Sequence, residues 1–158
     1  MFSLSLGMAA SVRVGQVLGA GLNRRVRRIG LVSLMTAVVL MTAFGCLFFF
    51  GGRTIAACFV ESKEVQDLAV QLLMVAAIFQ VFDGLQVTAI SILRGMQDVR
   101  IPAIVAIVAY WLLAMPMACI LAFYYQKGAL GIWIGLAVGL GVAAFCLTFR
   151  FYFKTKVR

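Results

Sequence analysis

Histidine is absent from this chain, and acids are scarce: five Asp and Glu stand against fourteen Lys and Arg, a formal net charge of +9. Without histidine there is no Ser–His or Cys–His pair, and no nucleophile sits beside a base. Neither a phosphate-binding loop nor a pair of intramembrane carboxylates is present, so the sequence is a poor fit to an enzyme. Four cysteines (Cys46, Cys58, Cys119 and Cys146) are scattered with no CxxC spacing. That pattern gives neither a zinc site nor a disulfide framework, and it predicts thiols that act as small buried hydrophobes. No organic cofactor is expected.

Charge as a whole is rare. Only 12% of the 158 residues are charged and 65% are hydrophobic, with a mean hydropathy of +1.10. A soluble domain carries roughly 25% charged residues, and a short chain buries only a limited share of its surface. This much apolar surface therefore calls for lipid as the solvent. The basic excess falls in short connectors, where it meets anionic headgroups and sets orientation, so nucleic acid is not an expected partner.

A hydrocarbon core of about 30 Å takes about 20 apolar residues in a helix. Residues 29–52, 101–126 and 128–149 contain no charge, and residues 68–93 contain only Asp83. These patterns predict an all-α polytopic membrane protein with spans near 29–51, 68–92, 102–125 and 130–149. A fifth, incomplete span is expected near 1–21, where Arg13 interrupts the run. Arg13 lies close enough to one end for its stem to snorkel to the interface, with Gln16 one turn away.

Counted over alternate connectors, ten basic residues lie on one side and three on the other. The ten comprise the four arginines of 22–28, then Arg94, Arg100, Arg150, Lys154, Lys156 and Arg158; Arg53, Lys63 and Lys127 face them. The positive-inside rule makes the first side, and with it the C-terminus, cytoplasmic. An N-terminus outside, without a full first span, is an unusual beginning, and the expectation is a piece or truncated frame of a longer protein. Tyr124, Tyr125 and Trp133 near one boundary and Tyr152 near the other suit interfacial anchors. Gly15 and Gly19 form one GxxxG, while Gly131, Gly135 and Gly139 form two in succession, which lets helix backbones approach closely in lipid.

Asp83 is the most informative residue. A carboxylate near a helix centre costs roughly 2.5–3.5 kcal/mol on insertion scales, so it ordinarily faces a cavity or a partner. Gln80 and Gln86, three residues on either side, share its helix face. Such a stripe suits a watery cavity that holds a proton or a hard cation such as Na+; a structural hydrogen bond to a neighbouring helix is the alternative. The following span offers no second carboxylate, so a charged partner is expected outside this chain. In that span Pro116 removes a backbone bond and predicts a kink or hinge. Tyr110 and Trp111, just before it, offer cation–π surface to organic cations, or simple packing.

Beyond composition and spacing, the stretch Ala10-Ser11-Val12-Arg13-Val14-Gly15-Gln16-Val17-Leu18-Gly19-Ala20-Gly21 resembles the signature near the eighth helix of multidrug and toxic compound extrusion (MATE) exporters. So do Glu64-Val65 opening a span with Phe82-Asp83-Gly84-Leu85-Gln86, and Leu93-Arg94-Gly95-Met96-Gln97-Asp98, similar to the family's RG-x-x-D loop. Tyr110-Trp111 with Pro116, and then Gly128-Ala129-Leu130-Gly131-Ile132-Trp133-Ile134-Gly135, resemble the last two helices. Five motifs in family order cover nearly the whole chain.

The resemblance implies helices eight (partial) to twelve of a twelve-helix, two-lobe transporter in the plasma (inner) membrane. It places the family's helix-ten cation aspartate at Asp83, favouring the NorM-like branch, in which Na+ or H+ entry drives export of organic-cation drugs. It also implies that the N-terminal lobe and helix seven, which carries a further acid of that site, lie outside the chain. A lipid-linked saccharide flippase of the same superfamily and a non-functional truncated remnant are the alternatives.

Overall fold

A computed structural model of the protein describes residues 2–59 and 62–156. Among them there are only helices and turns: α1 (Phe2–Gly19), α2 (Asn23–Phe59), α3 (Lys63–Gly95), α4 (Arg100–Tyr124) and α5 (Gly128–Lys156). The last four are each long and apolar enough to cross a membrane, whereas the 18-residue α1 is not among them. The tail cation Arg158, counted among the ten basic residues above, lies outside the described residues.

The helices run past the predicted spans. At about 1.5 Å per residue, the 37-residue α2 is about 55 Å long and outreaches the ~30 Å hydrocarbon core at both ends. Its first turns carry Arg24, Arg25, Arg27 and Arg28, and it continues through Arg53 to Phe59. The expected connector 52–67 is thus mostly helix, since a helix satisfies its own backbone while its charged side chains reach the headgroups. Arg53 of α2 and Asp67 of α3 approach at 3.9 Å, both well exposed, which makes the pair worth little.

Two turns close with the same device. The N–H of Leu22 donates to the carbonyl of Val17 and that of Gly21 to Leu18, with Gly21 at φ 74°. After α3, Asp98 donates to Leu93 and Gln97 to Arg94, with Gln97 at φ 60°. Both are Schellman closures, and the left-handed position in the second is filled by a residue that has a Cβ. Gln97→Gly should therefore stabilise the protein by about 0.5–1 kcal/mol, read as a higher denaturant midpoint in detergent; an unchanged or lower midpoint contradicts this.

Helix α3 is the centre of the bundle, packing against α1, α2 and α5. The buried core gathers at the arginine-rich end, where Val14 (α1), Val26 and Leu34 (α2), Ile92 and Leu93 (α3) and Leu147 and Phe151 (α5) meet. Close approaches make that convergence possible. Gly30 receives the Phe151 ring, and Gly95 sits against the backbone of Ser11.

The paired GxxxG motifs act at the α4–α5 contact. A Cβ on Gly131 would lie 2.6 Å from the Leu121 carbonyl carbon, and those on Gly135 and Gly139 would run into Ala118 and Ala114. Ala114, Ala118 and Ala122, spaced four apart and all buried, form a ridge that fits the glycine groove. Gly19, by contrast, has nothing within 4 Å of its Cβ position. The expectation of buried cysteines fails: all four are free and exposed. Their thiols lie on the surface of this chain, with Cys46 at the edge of an apolar groove between α2 and α3.

Candidate functional site

Asp83 is half-buried on α3 and is the one acid within the apolar part of the four long helices. Among the described residues no Lys or Arg forms an ion pair with it, and no group of three His, Cys, Asp or Glu is gathered anywhere. Its turn lies tight against α2, because Gly84 leaves room for the Met41 side chain.

The two glutamines of the predicted stripe serve different neighbours. The Gln80 amide donates to the Met41 carbonyl of α2 at 3.2 Å, which ties α3 to α2. Gln86, only 4% exposed, accepts a hydrogen bond from the Tyr110 hydroxyl of α4 at 3.2 Å. The structure therefore brings Gln86 and Tyr110 together across α3 and α4, with Asp83 three residues before Gln86 on α3. It does not bring Trp111 to them: that side chain is 69% exposed on the outer face of α4.

Pro116 is exposed on α4, flanked by two stretches of widened π-type turn, Ala109–Ala114 and Ile120–Tyr124. Proline has no N–H and its ring crowds the carbonyl four residues back. Here the helix continues with widened turns around it, and the residues that join them to the proline turn, Ala114, Met115, Cys119 and Ile120, keep right-handed helical dihedrals. Tyr110 sits in the first widened stretch, a backbone feature frequent at functional sites.

A second polar cluster was not foreseen from the sequence. Asp98, in the α3–α4 turn and 7% exposed, receives the Arg150 Nε at 2.9 Å, the Arg150 Nη2 at 2.7 Å and the Lys154 Nζ at 2.9 Å, all on Oδ2. Burial pushes its carboxyl up. The hydrogen bonds and charges of Lys154 and Arg150 outweigh that and hold it below the usual carboxylate value. The RGMQD motif marked Asp98, but its partners lie 52 or more residues away and carry no local signal.

Comparison with known proteins follows from this geometry. The MatE family model matches residues 1–120, and the motif-bearing helices α1 to α3 fall inside it. The chain belongs to the MATE family. It is 39% identical over 160 residues to the probable multidrug resistance protein NorM of Pseudomonas aeruginosa, covering 98% of this chain and 33% of that protein. A relative of the same name in Deinococcus radiodurans is 38% identical over 161 residues, covering 99% and 36%. The crystal structure of the eukaryotic MATE transporter AtDTX14 superposes with a TM-score of 0.85 at 32% identity, covering 94% of this chain and 33% of that one. An inward-facing MATE transporter of the MOP superfamily shares the fold, with a TM-score of 0.84 at 17% identity. The chain spans about a third of the length of the curated relatives it matches. It is a multi-pass membrane segment of MATE architecture, and its relatives are named as transporters.

Proposed function

We propose that this chain forms part of the C-terminal lobe of a cation-coupled multidrug exporter of the inner membrane, helices eight (partial) to twelve, with Asp83 as the coupling carboxylate. The observation that carries this is an intramembrane acid that forms no ion pair with Lys or Arg among the described residues, three positions before the buried Gln86 that bonds Tyr110, in a chain of MATE sequence. An unpaired carboxylate in lipid is costly, and binding H+ or Na+ removes that cost. A cation bound at Asp83 thus favours whichever conformation keeps the carboxylate dry, and a site that biases one of two conformations can couple ion entry to drug exit.

Coordination of Na+ would draw on Asp83 and on neutral oxygens, and the Gln86 amide and Tyr110 hydroxyl are the hard donors nearest in kind. Tyr110 offers an aromatic face to organic cations. The remaining lobe and helix seven would come from sequence outside this chain, as alternating access requires two bodies moving about a central site. The ten-to-three asymmetry of basic residues supports a cytoplasmic C-terminus.

The test uses the complete protein in proteoliposomes, with ethidium efflux driven by a Na+ or an H+ gradient. Asp83→Asn should reduce gradient-driven efflux to the passive leak while the protein still inserts, and the gradient that drives the unsubstituted protein names the ion. Normal pumping by Asp83→Asn would remove Asp83 from the site but leave the fold untouched.

A further inference from the structure

A second surface feature of this chain begins beside Phe82, next to Asp83, and runs away from it along α5. An apolar trough of about 700 Å³ runs between α3 and α5, lined by Val75, Ile78, Phe82, Val138, Val142 and Phe145. From Phe145 a ladder of exposed rings continues along α5. Phe145 stacks on Phe149 at 6.1 Å, Phe149 meets Phe153 at 4.4 Å, and Phe153 meets the edge of Tyr152 at 6.3 Å. The Arg27 guanidinium of α2 lies over the Tyr152 ring at 4.7 Å. An uninterrupted apolar path therefore leads from the trough to a cation. The eight helical steps from Phe145 to Phe153 span about 12 Å, close to the depth of one leaflet.

The charged end of this path is built by two helices running antiparallel. One turn beyond the Arg27–Tyr152 contact, α2 carries Arg24 and α5 carries Lys156, at i−3 and i+4. Arg28 follows on the same face of α2 as Arg24. Arg24, Arg28 and Lys156 are exposed. Asp98 is the only acid at this end among the described residues, and it is already saturated by Arg150 and Lys154. The cradle thus lacks an anion, and an acyl groove opens into it.

We propose that this surface binds an anionic phospholipid, with its headgroup phosphate on Arg24, Arg27 and Lys156 and an acyl chain along Tyr152 and the Phe145–Phe149–Phe153 ladder into the trough. Charge selects the headgroup, and basic pockets between transmembrane helices are a known form of such recognition. The stack on Tyr152 holds Arg27 at the level where phosphate lies. The site is independent of ion coupling at Asp83.

The experiment reconstitutes the full chain with Trp111→Phe, Trp133→Phe and Phe149→Trp in vesicles. It compares quenching of the new indole by phosphatidylglycerol and by phosphatidylcholine, both with brominated acyl chains. We expect phosphatidylglycerol to associate about three- to tenfold more strongly, with the preference shrinking as salt rises. Arg24→Gln with Arg27→Gln and Lys156→Gln should bring the ratio to about one, while Arg27→Lys, which keeps the charge, should retain most of it. A reporter at Phe50→Trp, exposed on α2 beyond the trough, should show no headgroup preference and checks that the bundle is intact. Equal quenching by the two lipids, a preference untouched by the glutamine substitutions, or no quenching by either because another protein segment covers the trough would each overturn the proposal.

Discussion

Gly135→Leu is expected to separate α4 from α5 and to cost well over 3 kcal/mol, with Gly135→Ala at the top of the 1–3 kcal/mol range typical of overpacking. The reason is what a new Cβ would meet. At Gly135 the obstacle is the backbone of Ala118, which cannot rotate away as a side chain tip can. The flanking contacts of Gly131 with Leu121 and of Gly139 with Ala114 oppose any tilt that would relieve one point alone. In lipid, helix association depends on close packing, because the solvent is as apolar as the helix surface. Gly19→Ala is the matched control: it alters a GxxxG of the same appearance, where the new methyl has open space. That substitution should be neutral or raise stability by up to about 1 kcal/mol through helix propensity. Unfolding in mixed detergent micelles measures both, and equal effects at the two glycines would show that the glycine groove is not what holds α5.

Asp98→Asn is expected to destabilise by about 2–4 kcal/mol. The substitution keeps the shape of the side chain and removes the charge on which Arg150 and Lys154 converge. Breaking a buried pair costs about 3–5 kcal/mol, much of it the penalty of the charges left behind. Arg150 and Lys154 keep side-chain exposures of 31% and 27%, so water offsets part of that penalty. The effect reaches beyond the turn, since this cluster clamps the α3–α4 connection to the last helix. Lys154→Met should cost less, as Arg150 still neutralises the acid.

The pH dependence has a definite sign. The folded carboxyl titrates below its ordinary value of 3.8, so its contribution is complete above about pH 4 and is lost as pH falls through the lowered folded value. The Asn variant should lack that acid-side decline, and a parallel decline in both proteins would assign it to other carboxylates.

Much of the architecture was legible because lipid imposes a coarse rule. Charge-free runs of twenty or more residues must be helices when the surroundings offer the backbone no hydrogen bonds. The four long spans followed from that rule, as did Asp83 as the one acid inside them. Helix ends were less legible. Arg24 to Arg28 and Arg53 read as connector, yet they are helical, because an interface accepts a charged helix as readily as a loop. The cysteines misled for the related reason that, in a membrane protein, apolar does not mean buried.

Composition and local pattern specified the solvent, the number and order of the long helices, the family motifs and the asymmetry of charge. Each depends on residues close together in the chain or on simple composition. Which polar groups share a site came from the packing of the helices. Gln80 and Gln86 are equivalent on a helical wheel, but one is bound to the α2 backbone and the other to Tyr110. Tyr110 and Trp111 are adjacent in the chain, but the first reaches Gln86 of α3 while the second, on another face of α4, has no such contact. Asp98 finds its cations only because α5 returns beside the α3–α4 turn. Neighbours on different helices are set by how the helices pack, and a periodic pattern along one helix specifies a face without naming what will lie against it.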